Sequence, residues 1–65
     1  MLPPWRRWPG TEPDWSGWRQ GRSEHWLLRD WLPFWRALDA PARERFLAEH
    51  PPPDEAWRDA LRRWG

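Results

Sequence analysis

Nine tryptophans must find cover in a chain of 65 residues that has no valine, isoleucine or cysteine. Without cysteine there are no disulfide staples and no thiolate metal sites. Without β-branched aliphatics, and with a single threonine, a β-sheet is disfavoured. Indoles therefore have to build the core. Hydrophobic residues make up only 38% of the chain, and tryptophan is over a third of them. A buried indole side chain removes about 150–250 Å² from water. Ordering a chain of this length, at about 1.5 kcal/mol per residue, costs on the order of 100 kcal/mol. The margin for a lone domain is thin, so the burial has to come from an efficient tryptophan core or from a partner. The surplus of large aromatics predicts a homo-oligomer or a subunit of a larger complex.

All 11 basic residues are arginine, set against 10 acids, for a net charge of +1. Lysine, asparagine and tyrosine are missing too. This usage reads as the coding bias of a GC-rich, bacterial genome. Uncharged stretches are only a few residues long, too short for a transmembrane helix or a signal-peptide core. The expected location is cytoplasmic.

The fold class predicted is all-α: a small three- or four-helix domain with an irregular Trp/Pro-rich N-terminal arm. The arm, residues 1–22, holds four of the nine prolines and three of the four glycines. No long helix can cross it. It carries an echo: Trp5 and Trp8 are three apart, Trp15 and Trp18 repeat that spacing, and glycines follow at Gly10 and Gly21. That spacing puts both rings of a pair on one side of a helical, 3₁₀ or polyproline II turn.

The helical domain is expected over 23–65. Ser23 is the candidate N-cap of a first helix, about 24–38, whose stripe is Leu28, Trp31, Leu32, Trp35 and Leu38. Pro33 should break or kink it, because proline lacks the amide and clashes with the preceding turn. Asp39 and Pro41 open a second helix, 40–50, which stops before Pro51-Pro52-Pro53. The third, 54–64, carries Trp57, Ala60, Leu61 and Trp64 on one stripe. Asp54 with Arg58 and Asp59 with Arg63 are acid-before-base pairs at i, i+4. Trp18 lies only eight residues before Trp26. Trp15 and Trp18 are therefore expected to fold back onto the Trp31–Trp35 region, leaving Trp5 and Trp8 for a partner.

No enzyme is indicated. Thr11, Ser16 and Ser23 lie on no nucleophile elbow, and the carboxylates alternate with arginines as on a solvated helix face. His25 and His50 lack close metal spacing, so no metal or other cofactor is expected. The interleaving of Trp and Arg is the loudest feature. The interaction candidates are Trp5, Arg6, Arg7, Trp8, Trp15, Trp18 and Arg19. Such residues are enriched in protein–protein hot spots, stack on single-stranded nucleic acid and sit at membrane interfaces. The arm has a net charge of +2, residues 39–50 have −1, and the other segments are neutral. That is too little for a phosphate-tracking surface. The leading expectation is a non-catalytic protein-interaction module or accessory subunit that binds a protein or itself. A nucleic-acid-binding regulator is the alternative, and a membrane surface is disfavoured.

Overall fold

Proline and glycine give the arm its course in the computed structural model, which describes residues 1–65. Pro3 and Pro4 are buried and lead into α1 (Pro4–Arg7), a single turn with proline at its start. That position suits a residue whose φ is already helical and whose missing amide would have had no partner. Pro3 O accepts from the amides of Arg6 and Arg7, and Pro4 O accepts from Trp8. The chain then reverses at Gly10, with φ +80°, and Thr11 Oγ1 donates to Trp8 O at 2.7 Å. A 3₁₀ turn, Ser16–Arg19, follows, and Gly21, φ +68°, turns the chain into the central helix. The sequence echo thus has a structural meaning. Each Trp-x-x-Trp straddles one helical turn, and the glycine after it takes left-handed backbone that a side chain would strain.

The central helix runs without interruption over 21–37. It is α2 (Gly21–Trp26), a π-turn (Leu27–Trp31) and α3 (Leu32–Ala37). Two sequence expectations are corrected here. Ser23 is no N-cap: the helix starts at Gly21 with no side-chain cap, and the buried Ser23 hydroxyl donates back to the carbonyls of Gly17 and Gln20. Pro33 does not divide the helix into two. The turn before it widens, and the Leu32 amide reaches the Leu27 carbonyl five residues back. An α-helical turn would drive the proline ring into the carbonyl of Arg29, and the wider π-turn relieves that clash. The i, i+5 register also stacks Trp26 on Trp31, with centroids 6.2 Å apart and planes 14° from parallel.

Helix α4 (Ala40–Glu49) has Pro41 in its first turn and is capped by Asp39, whose Oδ1 accepts from the Ala42 amide at 2.9 Å. It ends at His50, before the triproline. Helix α5 (Glu55–Arg63) is capped by Asp54, which accepts from the Trp57 amide at 3.1 Å. The expected pairs Asp54–Arg58 and Asp59–Arg63 do not form. Asp59 pairs instead with Arg62, at i, i+3, and this is the single ion pair of the chain. No strand is present.

Arm and helices share one core. Trp31 and Trp57 are fully buried, and Trp5, Trp18 and Trp35 nearly so, with Leu27, Leu32, Ala60 and Leu61 filling between them. Trp5 lies against both Trp31 (6.3 Å, 73°) and Trp57 (5.4 Å). Trp18 packs on Trp57, Trp8 and Trp26. The expected roles of the two arm pairs are therefore corrected: Trp5, from the more distant pair, reaches Trp31. Trp15 packs edge-on to Trp18 and lies over Gly17, where any Cβ would overlap its ring. It is the one exposed tryptophan, at 38%. The accessible surface is 4456 Å², against roughly 4,500 Å² expected for a folded monomer of this mass. The aromatic surplus that motivated self-association is thus largely absorbed within one chain.

The indole N–H groups divide into two kinds. Trp18 Nε1 donates to Glu12 O at 2.8 Å, and Trp57 Nε1 to Thr11 O at 3.1 Å, so both rings anchor the arm. The buried Nε1 of Trp5, Trp31 and Trp35 find no acceptor in the protein. Leaving a buried donor unpaired costs about 1–3 kcal/mol. Two predictions follow from this division and from the burial. Trp18→Ala should cost about 3–5 kcal/mol and Trp15→Ala under about 1 kcal/mol, measured by thermal or urea unfolding. Replacing Trp31 by its benzothiophene isostere, which exchanges N–H for sulfur, should raise stability by about 1 kcal/mol, whereas the same exchange at Trp57 should lower it by a similar amount.

Candidate interaction site

The seven candidate residues do not end up on one surface. Trp5 and Trp18 are core. Trp15 lies on Gly17, and Arg19 is exposed. Arg6 donates to His50 Nδ1 at 3.3 Å, tying α1 to the end of α4, where the imidazole also packs on Phe46. Only Arg7 and Trp8 enter a concave site together.

That site lies between the arm and the central helix. It is a cleft of about 590 Å³ lined by Arg7, Trp8, Arg22, His25, Trp26 and Asp30. Position dictates its make-up. Trp8 is the residue that ends α1, so the burial of Trp5 one turn earlier aims it at the central helix. There it meets Trp26 at 5.1 Å and 60°. Both indoles are half-buried. The Arg7 guanidinium stacks over the Trp8 ring at 4.4 Å, a cation–π contact that holds it at the mouth. Arg22 and His25 come from the first turns of α2, and Asp30 from the π-turn.

Arg22, His25, Trp26 and Asp30 were missed as site residues, although their signal was present. Positions 22, 25 and 26 have the i, i+3, i+4 spacing of one helix face. Starting the helix at 24 left Arg22 in the arm and hid that face.

Neither Arg7 nor Arg22 is neutralised by an ion pair, because the single pair of the molecule is Arg62 with Asp59. The arm's own acids lie elsewhere: Glu12 and Asp14 line a shallow concavity with Asp59 and Arg63 of α5. The fold thereby separates charges that the sequence interleaves. Arginine on the far side of the molecule is used differently. Arg43 stacks over Trp35 at 4.6 Å, donates to Trp35 O through Nε and Nη2, and donates to Gly65 O at 2.6 Å.

No three histidine, aspartate or glutamate side chains gather where they could hold a metal ion. No helix is long and apolar enough to cross a membrane. No protein-family model matches the chain, and neither curated proteins nor solved structures give a match.

The two kinds of arginine should respond differently to truncation. Arg7→Ala and Arg22→Ala should shift unfolding free energy by less than about 0.5 kcal/mol. Arg43→Ala should lower it by about 1–3 kcal/mol, through the loss of charge-assisted bonds to main-chain carbonyls. Chemical denaturation of the three variants checks this.

Proposed function

We propose that this protein is a non-catalytic interaction domain that docks a segment of a protein partner in the cleft between its arm and its central helix. One observation carries the reading. Arg7 and Arg22, neither held in an ion pair, flank a half-buried indole pair in an open cleft. An apolar side chain of the partner seats on Trp8 and Trp26, and a neighbouring carboxylate is bound by the guanidiniums. Arginine and tryptophan are the residue types that dominate binding energy at such sites. Guanidinium forks match carboxylates, and stacking on indole fixes them in place.

Catalysis finds little support. The hydroxyls of Thr11 and Ser23 are committed to main-chain carbonyls, and Ser23 is buried. A chain without disulfides is compatible with a cytoplasmic setting.

The nucleic-acid reading is second. Arginine beside accessible indole suits stacked bases. Against it, Trp8 and Trp26 meet at 60° with no parallel slot between them for a base. The chain's net charge of +1 also gives little pull on a phosphate backbone.

The test is affinity capture from the source cells with the native chain and with Arg7→Glu/Arg22→Glu. We expect a polypeptide retained by the native chain, resistant to nuclease, and reduced about tenfold or more by the charge reversal. Circular dichroism should be the same for both chains. Recovery of nucleic acid that disappears on nuclease treatment would replace this reading by the second one.

A further inference from the structure

Helix α4 is the element least secured by the fold. None of its residues is buried, and Phe46 and Leu47 are only half-covered. Beside it, between α4 and α5, runs a second groove of about 300 Å³. Its floor is apolar, with Trp35 and Leu61 buried beneath and Leu47 on the α4 wall. Its rim is cationic on both sides. Arg43 stands on α4, Arg58 and Arg62 stand on α5, and Glu44 is the only acid among the lining residues. The groove has room for anchor side chains rather than for a whole helix.

We infer that this groove is a second docking site, distinct from the arm cleft, and that it takes an acidic amphipathic helical segment of a partner protein. Charge complementarity selects the occupant. Arg58 and Arg62 are four apart on α5, so their guanidiniums rise from the helix about one turn, or roughly 6 Å, apart. Carboxylates at i, i+4 on a docked helix have the same rise. An apolar residue of that helix, on the same face, packs on the half-exposed Leu47 beside the Arg43 guanidinium that covers Trp35. The cations differ in readiness. Arg43 is held in place by its stack on Trp35 and its bonds to Trp35 O, so little freedom is lost when it binds. Arg62 is engaged with Asp59 in a pair whose side chains are 68% and 55% exposed. Exposed pairs of this kind are weak, and an incoming carboxylate can displace one. Arg58 makes no ion pair. Docking would also cover the Leu47 side chain that the fold leaves half-exposed, so binding and the securing of α4 are coupled.

The probe is a peptide of about 15 residues, long enough to form helix on docking, with Glu and Leu at helical spacing. Its control has Lys in place of Glu. Titration of the isotope-labelled full chain, followed by amide resonances, locates the contact. We expect saturable shifts in 40–47 and 58–62 with the acidic peptide and none with the Lys peptide. Added hydrogen-exchange protection should be confined to α4 and α5. Arg58→Glu/Arg62→Glu should weaken binding about tenfold or more, and Arg58→Ala/Arg62→Ala, the milder change, should weaken it to a lesser degree. Arg7→Glu/Arg22→Glu should leave it unchanged. The inference is overturned if the shifts fall on Arg7–Trp8 and Arg22–Trp26 instead, if the Lys peptide binds equally, or if the Arg58/Arg62 variants bind as tightly as the native chain. Shifts on Arg7–Trp8 and Arg22–Trp26 would place the acidic peptide in the arm cleft, and so support the arm-cleft reading while overturning this one; the other two results leave the arm cleft untouched.

Discussion

The Trp5 indole, lying against Trp31 of the central helix and Trp57 of α5, is the contact on which the rest of the molecule depends. It joins three segments that are remote in sequence. A leucine at any of these positions would be too short to bridge them. The indole is long and flat, and edge-to-face contact with a neighbouring ring adds about 0.5–1.5 kcal/mol beyond area burial. This is how a chain with no valine or isoleucine closes a core. The solution has a cost, because indoles bring a polar atom with them. Trp18 and Trp57 place theirs on arm carbonyls, whereas Trp5, Trp31 and Trp35 do not.

The arm is therefore part of the core and also the wall of a site. Trp5 and Trp8 sit on one turn, so burying the first directs the second at Trp26. The prolines before them reduce the freedom of this short segment. Less entropy is lost when it docks, which allows a segment with only single helical turns to be ordered by a few rings and by bonds with remote side chains. The same turn presents Arg6 to His50 and Arg7 to the cleft. The π-turn plays the matching part on the opposite wall. It lets Pro33 remain within the helix, stacks Trp26 on Trp31 and leaves Asp30 at the cleft.

What the sequence disclosed follows the range of the interaction. The all-helical class, the Asp39 cap and the proline at the start of α4 rest on neighbouring residues, and local chemistry was enough to read them. Ser23 looked like a cap for the same local reason. Its hydroxyl is instead drawn to Gly17, a contact set by how the 3₁₀ turn meets the helix. Pro33 points to a break or a kink as long as the helix around it is taken to be α throughout; the π-turn before it is a third outcome that keeps the helix continuous. Which tryptophan pair reaches Trp31 depended on the path of the whole arm. Loop-closure cost favoured the nearer pair, but Trp18 packs on Trp57 of α5 and on Trp8, and Trp15 packs on Trp18. In the site, Arg7 and Trp8 were legible from the Trp–Arg interleaving. Their partners on α2 were not, because that helix begins three residues before the position assigned to it.

Arginine divides into two populations once the fold is in place, and composition alone could not have separated them. Arg43 and Arg36 donate to main-chain carbonyls near the end of the chain and knit α3, α4 and the C-terminal turn together. The guanidiniums of Arg7 and Arg22 bond to no carboxylate and no carbonyl. On the proposed reading these two guanidiniums serve a partner, since surface charges of this kind add little to unfolding free energy. Stacking on Trp8 fixes Arg7 before any partner arrives, which lowers the entropy lost on binding. The half-buried Trp8–Trp26 pair offers the apolar anchor that a bare cationic patch lacks. The charges are also sorted: Glu12 and Asp14 lie beside α5, away from the cleft, where Asp30 is the one acid near Arg7 and Arg22. The core that hides the tryptophans is thus also what sorts the charges, and the cleft is where the two effects meet.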